Sequence, residues 1–118
     1  MQATASLIRS EVAHLEEVAR RVRVEAVRMV AQVEGGHPGG SLSAADLLVA
    51  LYFHELRLRP DDPSWPGRDR FILSKGHACE AFYATMALRG FFPRAELRTF
   101  GELDSRLQGH PEIGRAHV

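Results

Sequence analysis

The sequence predicts an α/β fold in which helices pack on the start of a parallel sheet. Three observations predict it. The elements read in order as helix, helix, strand, helix, helix. One short apolar run, Asp69-Arg70-Phe71-Ile72-Leu73-Ser74, is bounded by charges and then Gly76, the pattern of a buried parallel strand. Three of the six histidines directly follow a glycine, at Gly36-His37, Gly76-His77 and Gly109-His110, each at the edge of an apolar element. Glycine lets the backbone turn sharply and approach a ligand, and histidine moves protons near neutral pH. Such corners suit a polar site built from loops on an α/β scaffold.

Residues 5–33 read as helix. Ile8, Val12, Leu15, Val18, Ala19 and Val22 recur at three- and four-residue spacing and share a face. The pattern shifts near Val22–Ala26, which allows a break into two helices, and Gly35-Gly36 ends the run. Residues 36–40, with three glycines and a proline, read as loop. Ser43 and Asp46 then match an acidic capping box, opening a helix that runs to about Leu56. That helix is apolar nearly all round, so it is expected to be buried on several sides or in a subunit interface.

Arg59 to Gly67, with Pro60, Pro63 and Pro66, is a surface crossing in which Trp65 anchors the loop. Arg68, Asp69 and Arg70 form a charge cluster before the strand. Gly76-His77 opens the next helix, which runs to about Leu88 with Ala81, Ala84, Thr85 and Leu88 on one face; Gly90 stops it. Pro93 begins a short helix, and Arg106 to Pro111 is loop. Ligands of open α/β sheets sit at the carboxyl ends of strands. Ser74-Lys75-Gly76-His77 lies at such an end, and the helix start after it suits phosphate.

A chain of 118 residues makes one modest domain with a core. Fifteen basic and fifteen acidic side chains cancel, so no net field favours nucleic acid or an anionic membrane. Cys79 is the one cysteine, which excludes an internal disulfide and zinc-type spacing; it reads as a small buried helix residue. No signal-peptide core and no run near the roughly 20 apolar residues of a membrane span occurs, so a cytoplasmic location is expected. From spacing alone, His37 is as readily a turn residue as a ligand, His77 is more readily a helix cap than a functional group, and His110 before a proline reads simply as exposed. His14 and His54 read as packing or surface residues, and Lys75 as an anion contact or a solvated side chain.

Gly36-His37-Pro38-Gly39-Gly40-Ser41-Leu42-Ser43 resembles the first signature of transketolases. Arg68-Asp69-Arg70-Phe71-Ile72-Leu73-Ser74-Lys75-Gly76-His77-Ala78 resembles the second, and Leu107-Gln108-Gly109-His110-Pro111 the third. The likeness runs from about Ile8 to Pro111, in matching order. It implies a partial thiamine diphosphate-binding fold, thiamine diphosphate with a magnesium ion, and transfer of a two-carbon ketol unit from a ketose phosphate to an aldose phosphate. The cofactor supplies the carbanion chemistry, and the histidines hydrogen-bond and exchange protons with sugar hydroxyls. Carried over, His37 and His110 are catalytic and substrate-binding residues, and His77 binds the cofactor near its diphosphate. Lys75 looks like the split form of the family. That form implies, as partner, a carboxy-terminal transketolase subunit in a dimeric or heterotetrameric assembly, within the pentose phosphate pathway.

The family continues to a Gly-Asp-Gly segment and an asparagine that hold the metal; the sequence contains no Gly-Asp-Gly, so no metal ligand is assigned. This chain by itself is therefore expected to be inactive, with Ile72 and Leu73 as exposed apolar edges. Residues 113–118 do not resemble the family and match a translation of ATC GGA AGA GCA CAC GTC, a common sequencing-adapter string. The expectation is that residues 1–111 are the incomplete domain and 112–118 a non-native tail, so that His117 carries no function. Two rivals remain: a sister enzyme such as a dihydroxyacetone synthase-like ketol transferase, and a non-catalytic helical interaction module. A three-histidine metal site is weaker, because the histidines lack short chelate spacing.

Overall fold

The computed structural model describes residues 2–33 and 36–109, with side chains from Thr4 onward. Helix α1 (Gln2–Gln32) runs unbroken through Val22–Ala26, where the sequence allowed a break. Val18, Ala19 and Val22 are buried, and so are Glu25, Ala26 and Met29 one and two turns further on. Positions 18, 22, 25 and 29 thus keep three- and four-residue spacing along one face of a continuous helix, while the exposed Val24 and Val27 blur the pattern read from sequence. The first half of the predicted face is not covered: Ile8 and Val12 are exposed, as is Leu7 beside them.

Helix α2 (Pro38–Ala50) begins five residues before the expected capping box. Pro38 stands in its first turn, where a missing N–H costs nothing and φ is already helical, and Gly39 and Gly40 continue it. Ser43 donates back to the Gly40 carbonyl at 3.0 Å, and Asp46 pairs with Arg23 of α1 at 2.7 Å. Neither caps the helix. A wider π-turn (Leu51–Glu55) follows, closed by the Leu56 N–H on the Leu51 carbonyl at 2.8 Å.

Residues 57–75 cross the surface in successive turns. Trp65 packs under the Arg59 guanidinium, 3.9 Å from its ring centroid. Asp69 ties the crossing down by accepting from the Arg57 backbone N–H at 2.7 Å and its guanidinium at 3.1 Å. The expected buried strand is not formed: no strand occurs among the described residues, and Ile72 is 71% exposed. A strand exists through its ladder, and the single backbone bond described from 69–74 to another segment, Asp69 N–H to the Arg57 carbonyl at 2.9 Å, does not make one. Phe71 is held instead by edge contact with Tyr52 and by Phe82, both at 5.7 Å. The parallel sheet expected from sequence is thus absent from the described residues, and the architecture there is helical.

A 3-10 turn (Gly76–Ala78) leads into helix α3 (Cys79–Arg89), as the sequence predicts. Every residue from Cys79 to Ala87 is buried, so α3 is the central element, packed against both α1 and α2, which also pack on each other. Gly90 ends it with φ 107, a left-handed conformation that glycine adopts at little cost. The Phe91 N–H reaches back to the Met86 carbonyl at 3.0 Å to close the end. Pro93 precedes a second 3-10 turn (Arg94–Thr99), and Leu97, Phe100 and Leu107 complete the core. No helix among the described residues is long and apolar enough to cross a membrane.

Candidate functional site

The starts of α2 and α3 lie side by side. His37 takes the N-cap position of α2 with φ −120 and ψ 89, and its side chain makes no capping bond. His77 sits inside the 3-10 turn ahead of α3, one residue past Gly76. Their rings meet edge-on with centroids 4.5 Å apart, although 40 residues separate them. Both side chains are exposed, so the pair lies at an open mouth. Gly40 permits this approach. A Cβ there would stand 3.2 Å from the His77 carbonyl oxygen, closer than an ordinary side-chain contact.

The third glycine-histidine corner is led to the same end of α3. The Cys79 thiol donates to the Gly109 carbonyl at 3.0 Å, and the Tyr83 hydroxyl to the Gln108 carbonyl at 2.7 Å. Both anchors come from the first turns of α3, adjoining His77. His110 itself, with residues 111–118 and the expected tail, lies outside the described residues. Two of the three sequence-predicted histidines are thus in contact, and the residue before the third is tethered beside them.

Below the mouth lies a polar bridge that sequence reasoning did not single out. Ser41 Oγ donates to Glu80 Oε2 at 3.0 Å and accepts from the Ala81 N–H at 3.1 Å. Ser41 and Glu80 are both buried. The signal in the sequence was Glu80 itself, one acidic residue in the otherwise apolar opening of Cys79–Ala87. Burial and the adjacent Glu80 carboxylate push the Cys79 thiol up to about 12, so it stays protonated against Gly109.

The remaining candidates stand apart. His14 is exposed on α1, and His54 is exposed and pairs through Nδ1 with Glu11 at 2.6 Å. Lys75 is exposed at the N-cap of the 3-10 turn. Arg68 donates to the Ser64 and Trp65 carbonyls and serves the loop.

Two exposed imidazoles beside a helix start offer N–H donors to phosphate oxygens, which fits an anionic diphosphate. The described residues do not fit a magnesium ion, which needs clustered hard oxygens. No group of three or more His, Cys, Asp or Glu among them could hold a metal, and the Glu80 carboxylate is turned inward to Ser41.

Residues 15–118 match the model of the thiamine diphosphate-binding domain of transketolase. The chain is 45% identical over 98 residues to transketolase 2 of Xanthobacter flavus, covering 82% of this chain and 14% of that protein. It is 44% identical over 103 residues to one subunit of the apulose-4-phosphate transketolase of Phocaeicola vulgatus, covering 87% of this chain and 37% of that one. Among solved structures, the transketolase of Leishmania mexicana superposes with a TM-score of 0.80 at 33% identity, covering 86% of this chain and 15% of that one. The chain therefore spans well under half the length of these relatives.

Proposed function

The chain belongs to the transketolase family, and from that premise we propose that it forms one wall of an active site transferring a two-carbon ketol unit between sugar phosphates. The contact of His37 with His77, beside the tethered Gly109 corner, is the observation that carries this reading. In it His77 donates a hydrogen bond to the diphosphate of thiamine diphosphate. His37 and His110 bind the sugar and hold or move protons at its hydroxyl oxygens. The cofactor, when bound, supplies the electron sink for making and breaking the carbon–carbon bond. Magnesium, in this reading, is held by residues outside the described ones. The Phocaeicola vulgatus relative, one subunit of its enzyme, supports a split form that works with a carboxy-terminal subunit in a dimeric or heterotetrameric assembly. A cytoplasmic place in carbohydrate metabolism such as the pentose phosphate pathway belongs to the same reading. Of the nearly all-apolar helix, Leu48, Val49 and Tyr52 are spent on the chain's own core, while Leu42 and Leu47 stay exposed. A sister ketol transferase with another acceptor would share every one of these residue roles.

The test is thiamine diphosphate-dependent ketol transfer by this chain extended through the Gly-Asp-Gly and asparagine segment of a transketolase relative and combined with a carboxy-terminal transketolase subunit. His77→Ala should weaken cofactor binding by about 10- to 100-fold, the worth of one charge-assisted hydrogen bond. His37→Ala and His110→Ala should each lower kcat by roughly 10²- to 10⁴-fold, the range of proton-transfer assistance. Parent-like activity and cofactor affinity in all three variants would remove the reading.

A further inference from the structure

We propose that Ser41 and Glu80 are positioning residues whose buried hydrogen bond sets the approach of His37 to His77. Each lies about one helical turn beyond its histidine, Ser41 four residues after His37 and Glu80 three after His77. The Ser41 hydroxyl is used twice, donating to Glu80 Oε2 at 3.0 Å and accepting from the Ala81 N–H at 3.1 Å. One side chain of α2 thereby holds both a side chain and the backbone of the first turn of α3. Ser41 is fully buried and Glu80 is 2% exposed, so water does not compete for either group.

Two features show why this bridge bears on geometry. First, a buried carboxylate is costly unless it is hydrogen-bonded, and its site in the first turn of α3 adds the favourable end of the helix dipole. The arrangement is therefore directional: sliding α2 along α3 breaks the Ser41 bond inside an apolar core. An apolar pair at these positions would fill the same space without defining a register. Second, Gly40, the neighbour of Ser41, sits against the His77 carbonyl. The bridge thus acts one residue from the point where the two elements touch, on the same two elements whose histidine rings stand 4.5 Å apart. Its catalytic meaning rests on the function proposed above, whereas its geometric meaning does not.

The experiment measures the histidine pair in the full chain without cofactor or substrate. Histidine-selective labelling and NMR would record the nuclear Overhauser cross-peaks between the His37 and His77 rings in the parent and in Ser41→Ala, Glu80→Ala and Glu80→Gln. Circular dichroism melts would report folding on the same samples. The expected result is loss of the cross-peaks in Ser41→Ala and Glu80→Ala and their retention in Glu80→Gln, whose amide oxygen still accepts from Ser41. Cross-peaks that persist in folded Ser41→Ala and Glu80→Ala would overturn the proposal. So would unfolding of all three variants together, since Glu80→Gln would then show a purely structural demand for charge or shape. Because the readout uses neither cofactor nor turnover, its failure is distinct from failure of the transketolase reading.

Discussion

The Cys79 thiol is 1% exposed and donates to Gly109, and burial raises its pKa from 9.0 to about 12. The thiolate is the reactive form, so iodoacetamide at pH 8 should label Cys79 in urea and leave the native chain unmodified. Rapid native labelling would mean that the Gly109 tether opens freely. The same shift carries a pH dependence. Between about 9 and about 12 the unfolded chain releases a proton that the folded chain keeps, so stability is full below that window and falls as pH rises through it. Melting temperatures measured from pH 7 to 11 should therefore drop more steeply in the parent than in Cys79→Ala. Asp46 works in the opposite sense: its hydrogen bond to Arg23 lowers its pKa, and that stability fades as pH falls through the carboxylate range. The pair is too exposed to contribute more than about 1 kcal/mol.

At the scale of the elements, the start of α2 decides whether the histidines meet. Gly39 and Gly40 are neighbours in one helical turn but face different surroundings. A Cβ at Gly39 meets nothing within 4 Å, whereas one at Gly40 meets the His77 carbonyl at 3.2 Å. Gly39→Ala should leave stability unchanged or raise it by up to about 1 kcal/mol through helix propensity. Gly40→Ala should lower it by about 1–3 kcal/mol, the usual cost of overfilling a packed contact. Urea denaturation compares the two, and a Gly40→Ala chain as stable as Gly39→Ala would show that α2 and the 76–78 turn are free to separate.

Across the whole molecule, apolar surface is unevenly distributed. The longest dimension, 53 Å, is about twice the shortest, 25 Å. Helix α1 alone reaches on the order of 45 Å at 1.5 Å per residue. Leu7, Ile8 and Val12 on its first half, Leu47 on α2 and Ile72 on the surface crossing are all exposed. Ile8 and Val12 stand one turn apart on the same face of α1, and an uncovered apolar stripe of this kind favours association. Light scattering after size-exclusion chromatography should therefore find the 118-residue chain self-associated at micromolar concentration. A monodisperse monomer with a sharp, cooperative melt would contradict this.

What the sequence determined by itself is local. Gly90 as the end of α3, Trp65 as a loop anchor, Cys79 as a buried residue and the glycine-histidine corners at element edges all depend on backbone preference and side-chain chemistry within a few positions. The family, too, was legible, because its motifs are short and contiguous. The tertiary structure decided what depends on partners far along the chain. It gave α2 a start at Pro38 rather than Ser43, because Gly40 packs on His77 while Asp46 turns to Arg23 of α1. It left 69–74 without a strand, because an apolar run becomes one only when another strand accepts its hydrogen bonds. It also joined Ser41 to Glu80 and His37 to His77 across 39 and 40 residues. A window of sequence registers periodicity along one segment, while burial and hydrogen bonding across segments depend on which faces meet in space.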